Sequence, residues 1–342
     1  MRYLVTGHTG FKGSWMSLWL SEQGHSVSGI SLNPDTDSIF NQADVKNVLD
    51  RDFRIDIRDK DLLTAAVREI DPEVVIHLAA QPLVRYSYKF PVETFQTNVI
   101  GTLNLLEATK NLDSLRASLI ITTDKVYKNF GHFDGYVESD PLGGEDPYSA
   151  SKAAADLASQ SWITSFGVSK VAIARAGNVI GGGDWARDRL IPDLVRAYNN
   201  QESPLIRNPN SIRPWQHVLD CLNGYLLLIN SMLENGTAGE WNFGPNHRER
   251  HPVSEVIEIF AKNYGAVVAP WTQDKNPNPP EAGILLLDST KSRTLLNWKD
   301  LLAFEESLAW TANWYRQWQN IGAREATLAQ IREFERLNRL DK

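Results

Sequence analysis

Tyr3-Leu4-Val5-Thr6-Gly7-His8-Thr9-Gly10-Phe11-Lys12-Gly13 stands near the head of the chain and decides how the rest is read. A short apolar run, Tyr3 to Thr6, leads into glycines at 7, 10 and 13, and a helical pattern from Lys12 to Gln23 follows. Glycines so spaced allow a tight turn, close approach of backbone N–H groups to a pyrophosphate, and close packing of helix on strand. The helix N-terminus adds partial positive charge at the same place. Gly7, Thr9, Gly10, Phe11, Lys12 and Gly13 are therefore the expected phosphate-binding residues. The Gly-x-x-Gly-x-x-Gly spacing is weak alone, since a plain glycine turn can share it. The strand before and the helix after give it weight.

Working outward, short apolar runs alternate with longer helical patterns. Ser26 to Ile30, Val74 to Leu78, Ser118 to Thr122 and Val171 to Arg175 read as further buried strands, and Asp61 to Ile70 and Val92 to Asn111 as helices. Such alternation predicts an α/β fold, a doubly wound parallel sheet of the Rossmann type that binds ligands at the carboxyl ends of its strands. After about residue 180 the character changes. Gly181-Gly182-Gly183, Ile206 to Trp215 and Lys275 to Pro280 are loop-like, while Val218 to Leu233 reads as a helix and Glu240 to Phe243 as a strand. We assign residues 1–180 plus about 218–245 to the dinucleotide-binding domain. About 181–217 plus 246–320 form a smaller, discontinuous C-terminal substrate-binding domain, and 321–342 a terminal amphipathic helix. In that helix Leu328, Ile331, Phe334 and Leu337 fall three apart among charges, a stripe that packs on the body or on a partner.

The 342 residues, 42% hydrophobic and 23% charged, have the balance of a globular chain able to bury a sizeable core. A net charge of −7 argues against a nucleic-acid partner, which needs a basic face. The single cysteine, Cys221, excludes an internal disulfide and a cysteine metal cluster, and we expect no metal. No signal-peptide pattern and no run of about 18 apolar residues occurs, so a cytoplasmic protein without membrane contact is expected.

The second strand ends Gly29-Ile30-Ser31-Leu32-Asn33, with no acidic residue before Asp35. Ser31 or Asn33 is left to hold the adenosine ribose, and no arginine sits there to claim a 2′-phosphate, so the expected cofactor is NAD rather than NADP. Asp56-Ile57-Arg58 is placed either for the adenine amino group or as a solvated turn. Tyr148-Ser149-Ala150-Ser151-Lys152 opens a helix running to about Phe166 and puts Tyr148 and Lys152 on one face, a turn apart. A lysine there is expected to lower the phenol toward neutrality, so that Tyr148 takes a hydroxyl proton while a nicotinamide takes a hydride.

Together with His77-Leu78-Ala79-Ala80-Gln81, Thr97-Asn98-Val99-Ile100-Gly101-Thr102 and Thr122-Thr123-Asp124-Lys125, these motifs resemble the extended short-chain dehydrogenase/reductase superfamily over nearly the whole chain. Within it, Thr123-Asp124-Lys125 is similar to the CDP-glucose 4,6-dehydratase family, where lysine replaces the glutamate of the dTDP-glucose enzymes. The same family is resembled by Gly7-His8-Thr9-Gly10-Phe11-Lys12-Gly13-Ser14-Trp15, by Gln81-Pro82-Leu83-Val84-Arg85, by Arg175 through Trp185, and by Arg213-Pro214-Trp215-Gln216-His217-Val218. The departures are a start directly at the first strand, an added helix after about Trp318, and threonine at 123 where serine is frequent.

The resemblance implies cofactor contacts from Leu78, Ala79, Ala80, Asn98 and Thr122 and a catalytic set of Thr123, Asp124, Lys125, Tyr148 and Lys152. Tyr148 would take the C4 hydroxyl proton, Lys125 the C5 proton, and Asp124 would protonate the departing C6 hydroxyl. Thr123 would hydrogen-bond the C4 oxygen and Lys152 the nicotinamide ribose. Asp124 and Lys125 could instead be a structural ion pair. Arg213 and Arg189 are the first choices for the substrate diphosphate, with the Asn178 amide pointing at the phosphates, Asp184 and Trp185 lining the sugar or base site, and Gln81 a further substrate-binding residue. His217, Arg85 and His8 read more readily as packed or hydrogen-bonded residues than as catalytic ones, with His217 and Arg85 kept as substrate-binding candidates. A C4 epimerase, a dehydratase of another nucleotide sugar and a binder without turnover are the competing functions; both Tyr148 and Lys152 argue against the last. The resemblance also implies a homodimer, or a tetramer, through a four-helix bundle of the segments Val92 to Leu112 and Tyr148 to Phe166.

Overall fold

The computed structural model describes residues 1–131, 133–166, 170–246, 248–274 and 283–340. The segment Lys275 to Pro280, read above as loop, lies outside them. Seven strands form one parallel sheet: β1 (Arg2–Thr6), β2 (Ser26–Ser31), β3 (Arg51–Arg54), β4 (Val74–His77), β5 (Ala117–Ile121), β6 (Val171–Ala176) and β7 (Gly239–Phe243), in the order β7-β6-β5-β4-β1-β2-β3. The central strands β1, β4, β5 and β6 are largely apolar on both faces because both faces are covered, whereas the edge strand β3 is charged and only partly buried. Tyr3 and Val5 enter the layer of α1 (Phe11–Glu22), while Leu4 between them enters that of α2 (Lys60–Ile70). This period-2 division repeats at Val74, Ile76 and Val75.

The second half of the chain builds on that sheet. The helix read from Val218 runs Val218–Asn235 and lies in the α1 layer; Leu219, Leu222 and Tyr225 are fully buried there. The strand read from Glu240 is β7, which pairs with β6. The terminal helix, Ala323–Leu340, turns Ile331 and Phe334 onto the body and not toward solvent. Phe334 meets the edge of Trp19 at 5.7 Å, and Trp19 Nε1 donates to Glu335 at 2.8 Å.

One element departs from its pattern. The segment read as a single helix from Val92 is Pro91–Phe95, a wider π-type turn Gln96–Ile100, and Gly101–Thr109. The turn places buried Asn98 where its Nδ2 donates to Gln81 O at 3.1 Å and Ser151 Oγ at 2.8 Å, and its Oδ1 accepts from Gln81 N at 2.8 Å. A tertiary staple thus accompanies the break in the regular helix, and π-type turns of this kind are frequent at functional sites.

Candidate active site

The sheet reverses its winding between β1 and β4, and a crevice opens at the carboxyl ends of those strands. Gly7 sits there at φ +74° with its Cα against the next loop; a Cβ would come 2.6 Å from Ala79 N. A Cβ on Gly13 would lie 2.2 Å from Gly7 O. Gly10 is the N-cap of α1 and offers no side chain to the first-turn N–H groups. Those donors are left to an anionic ligand, so the turn fits the pyrophosphate of a dinucleotide. Ser31 Oγ pairs with Thr9 Oγ1 at 2.7 Å beside the turn. Asp56 is held by Arg58, whose Nη2 lies 2.6 Å from Asp56 Oδ2, and Ile57 is buried against Gly101.

His77 fixes the crevice. Thr102 Oγ1 donates to Asn98 O at 2.7 Å, so the His77 Nε2 proton points to Thr102 Oγ1, 3.0 Å away, and Nδ1 accepts from Thr6 Oγ1 at 2.7 Å. Burial pushes its pKa down to about 3, and the ring stays neutral.

From the crevice a cavity of about 1310 Å³ extends across the ends of β5 and β6. It is lined by Phe11, Lys12, Leu78, Ala80, Thr122, Thr123, Asp124, Lys125, Tyr148 and Lys152, and on its far side by Arg85, Asn178, Asp184, Arg189 and Arg213. Thr123 caps the short turn after β5, and its Oγ1 donates to Asp124 Oδ1 at 2.8 Å. Asp124 is buried, and among the described residues its Oδ2 has no hydrogen-bond partner. Lys125 Nζ lies 3.3 Å from Asp124 Oδ1 and 3.4 Å from Asn178 Oδ1.

Tyr148 and Lys152 project from the helix Pro147–Phe166. Asp146 accepts from Ser149 N at 3.0 Å at its start, and Ser87 Oγ accepts from Tyr148 N at 3.1 Å. Burial pushes the Tyr148 phenol up to about 12; a hydrogen bond with Thr123 opposes the rise and the charge of Asp124 adds to it. Burial, then the nearby Lys12 ammonium, brings Lys152 down to about 7. Lys152 was expected to bring the phenol toward neutrality. Its Nζ instead donates to Ile121 O at 3.1 Å, and desolvation dominates both groups.

Three expected substrate residues are placed elsewhere. Gln81 commits its amide to its own loop: Nε2 donates to Thr94 Oγ1 at 2.9 Å and Oε1 accepts from Leu83 N at 2.6 Å. Trp185 turns to the C-terminal helices, donating to Gln42 Oε1 at 2.8 Å and meeting Tyr315 and Trp318 edge-on. His217 is a core residue that caps Val218–Asn235. Its Nδ1 accepts from Leu219 N at 3.3 Å, it stands between Trp15 and Trp310, and burial drops its pKa to about 3. Among the remaining ones, Arg189 pairs with Asp184 at 2.9 Å, Arg85 with Asp188 at 2.9 Å, and Arg213 Nη1 donates to Ile212 O at 2.9 Å.

Sequence reasoning missed the wall formed by Ser203 to Asn208: Ile206 to Asn208 lay in a stretch read only as loop, and Ser203 to Leu205 were assigned no element. It also missed the reach of Lys12 Nζ to Tyr225 OH at 3.4 Å, which depends on a helix 213 positions away. No local signal points to either.

The sheet order, the glycine turn and a Tyr148–Lys152 pair on the cavity floor define an extended short-chain dehydrogenase/reductase. A family model described as GDP-mannose 4,6 dehydratase matches residues 4–311, and the chain belongs to that family. It is 43% identical to a CDP-glucose 4,6-dehydratase of Salmonella typhimurium over 93% of this chain and 91% of the relative. Among solved structures, a dTDP-glucose 4,6-dehydratase of Streptomyces venezuelae with NAD bound is similar at a TM-score of 0.80 and 26% identity, covering 93% of this chain and 97% of that one. A Thermus thermophilus UDP-glucose 4-epimerase in complex with NAD matches at a TM-score of 0.79 and 27% identity, covering 92% and 99%.

Proposed function

We propose that the chain is an NAD-dependent 4,6-dehydratase that converts CDP-glucose to CDP-4-keto-6-deoxyglucose with loss of one water. The observation that carries this reading is the placement of Asp124 and Lys125 in the same cavity as Tyr148 and Lys152. An epimerase needs only a group for the C4 hydroxyl; a dehydratase needs a further base and acid for C5 and C6. The cytidine assignment rests on the likeness to the Salmonella enzyme and on lysine at 125.

Gly7, Thr9, Gly10, Phe11, Lys12 and Gly13 would hold the pyrophosphate, Ser31 the adenosine ribose, and Leu78, Ala79, Ala80 and Thr122 the space beyond it. Asn98 serves by fixing the loop at Gln81. Bound NAD supplies a hydride acceptor for C4, a hydride donor for C6, and a positive charge that favours the Tyr148 phenolate. Tyr148 takes the C4 hydroxyl proton, and Thr123 holds the C4 oxygen. The ketone acidifies the C5 hydrogen, which Lys125 removes. Asp124, whose Oδ2 lacks a partner, gives its proton to the C6 hydroxyl as it leaves as water. Lys125 returns a proton to C5 as C6 is reduced, and the proton taken by Tyr148 passes through solvent to replace the one given up by Asp124, so no net redox or proton change remains beyond the loss of water. Arg189, Arg213 and Asn178 are placed for the diphosphate, with Asp184 orienting Arg189.

The segment around the π-type turn exposes Val92, Phe95 and Ile100, and the helix Pro147–Phe166 exposes Leu157; these apolar positions suit a homodimer. Among the described residues no helix is long and apolar enough to cross a membrane, and a cytoplasmic enzyme is proposed.

Incubation with NAD⁺ and, in parallel, the CDP, dTDP, UDP and GDP sugars tests the function. Loss of 18 mass units (about one water) and a 4-ketone from CDP-glucose is expected. A C4 epimer of any of them without water loss would contradict it.

A further inference from the structure

The end of β2 carries neither an acidic residue for the ribose nor an arginine for a 2′-phosphate, but the register of the sheet supplies both from β3. Ser31 pairs with Arg54, and Gly29 with Asp52. Residues two apart on a strand share a face, and so do register partners on parallel neighbours. Arg54 and Asp52 therefore stand on the face where Ser31 meets Thr9 of the glycine turn. Thr9 Oγ1 also lies 3.3 Å from Leu32 O, which draws the end of β2 against the turn.

The arginine is occupied. Arg54 Nη2 donates to Asp52 Oδ2 at 2.7 Å and Nη1 to Asp52 Oδ1 at 2.6 Å, a two-pronged grip. Asp52 Oδ1 is also 2.8 Å from His8 Nε2, which lies 3.0 Å from Arg54 Nη1. The guanidinium lies over the Phe40 ring at 5.1 Å. Arg54 keeps 27% of its side chain accessible, and Asp52 only 12%.

We propose that Asp52 makes this site select a dinucleotide with a free adenosine 2′-hydroxyl, by holding the Arg54 guanidinium away from a 2′-phosphate. The inference rests on the reading that a dinucleotide lies on the glycine turn, with its ribose at Ser31. A guanidinium grips a phosphate with the same fork that grips a carboxylate. While Asp52 fills that fork, a 2′-phosphate must displace it and then face a bare carboxylate. That repulsion discriminates against the phosphorylated cofactor, and nothing at the end of β2 itself need do so. Asp52 is thus a specificity residue that acts through Arg54.

Binding of NAD⁺ and NADP⁺, measured separately by calorimetric titration of the full chain without substrate, tests this. The native protein should prefer NAD⁺. Asp52→Asn should gain about tenfold or more in NADP⁺ affinity as the fork is released, with NAD⁺ affinity changed by no more than about threefold. Adding Arg54→Met to that variant should abolish the gain. Arg54→Met alone should weaken NADP⁺ binding below the native level, because the Asp52 charge is left uncompensated; this arm stands if Asp52→Asn does not fold. An unaltered NADP⁺ to NAD⁺ ratio in either single variant would overturn the inference, while NAD⁺ binding by the same proteins would leave the dehydratase reading standing. Failure of the native protein to bind either dinucleotide would overturn both.

Discussion

The two ends of the site treat their charges differently. At the carboxyl ends of β2 and β3, Asp52, Arg54 and His8 Nε2 sit within hydrogen-bond distance of one another, and Ser31 and Thr9 are paired, while His8 Nδ1 is buried without a hydrogen-bond partner among the described residues. At the ends of β5 and β6 the charged groups themselves are less matched: among the described residues Asp124 Oδ2 has no hydrogen-bond partner, Lys125 Nζ contacts Asp124 and Asn178 at 3.3 and 3.4 Å, and Lys152 is desolvated to a pKa of about 7. Charges matched to one another hold a ligand and discriminate among ligands; less matched ones wait for a ligand to complete them and can move protons when it does. In this account the adenosine end holds and the sugar end reacts.

The largest effect expected from that division is at Tyr148. Tyr148→Phe should lower turnover by about 10²–10⁴-fold, the usual worth of a positioned acid–base group, with NAD⁺ affinity nearly unchanged. Equal losses in steady-state turnover and in titrated binding would break the division.

A second test lies beneath the reacting end. Arg175 grips Asp156 at 2.8 and 2.9 Å in the core, and Asp156 also accepts from Thr122 at 2.9 Å, one helical turn beyond Lys152. Arg175→Met leaves the buried Asp156 carboxylate without its cation and should cost about 3–5 kcal/mol in denaturant unfolding. A loss below about 1 kcal/mol would show that the pair does not anchor the helix of Tyr148.

The smallest predicted effect is a pH dependence. Lys152 falls from an ordinary 10.5 to about 7 on burial. Between these values the unfolded chain keeps the proton and the folded chain does not, so stability rises with pH there, by up to about 1.4 kcal/mol per unit. Below pH 7 both states are charged and the slope vanishes. The difference in melting temperature between native protein and Lys152→Met should be flat below about pH 7 and climb toward about pH 9. A difference that stays flat throughout would show that Lys152 keeps its charge.

What the sequence disclosed and what it hid follow from range. The strands, the glycine turn and the Tyr148–Lys152 spacing are written in local order, and the fold was legible from them. Arg54 was invisible because its place beside Ser31 depends on strand pairing. Trp185, His217 and Gln81 lie in motifs beside the cavity, yet a motif does not say whether a side chain faces cavity, core or its own loop. The π-type turn at Gln96–Ile100 was hidden for a related reason, because Asn98 is fixed by Gln81 and Ser151 and not by its helical neighbours.

The central claim is that Lys125 does chemistry at C5, in addition to its contact with Asp124. The direct measurement is a turnover of CDP-glucose and NAD⁺ in heavy water, comparing native protein with Lys125→Met, read by proton NMR and by the absorbance of reduced nicotinamide. The account predicts deuterium at C5 of a 4-keto-6-deoxy product from the native protein. From the variant it predicts reduced nicotinamide that accumulates with no C5 exchange. Normal deuterium incorporation by Lys125→Met would contradict it and leave Lys125 as a structural partner of Asp124.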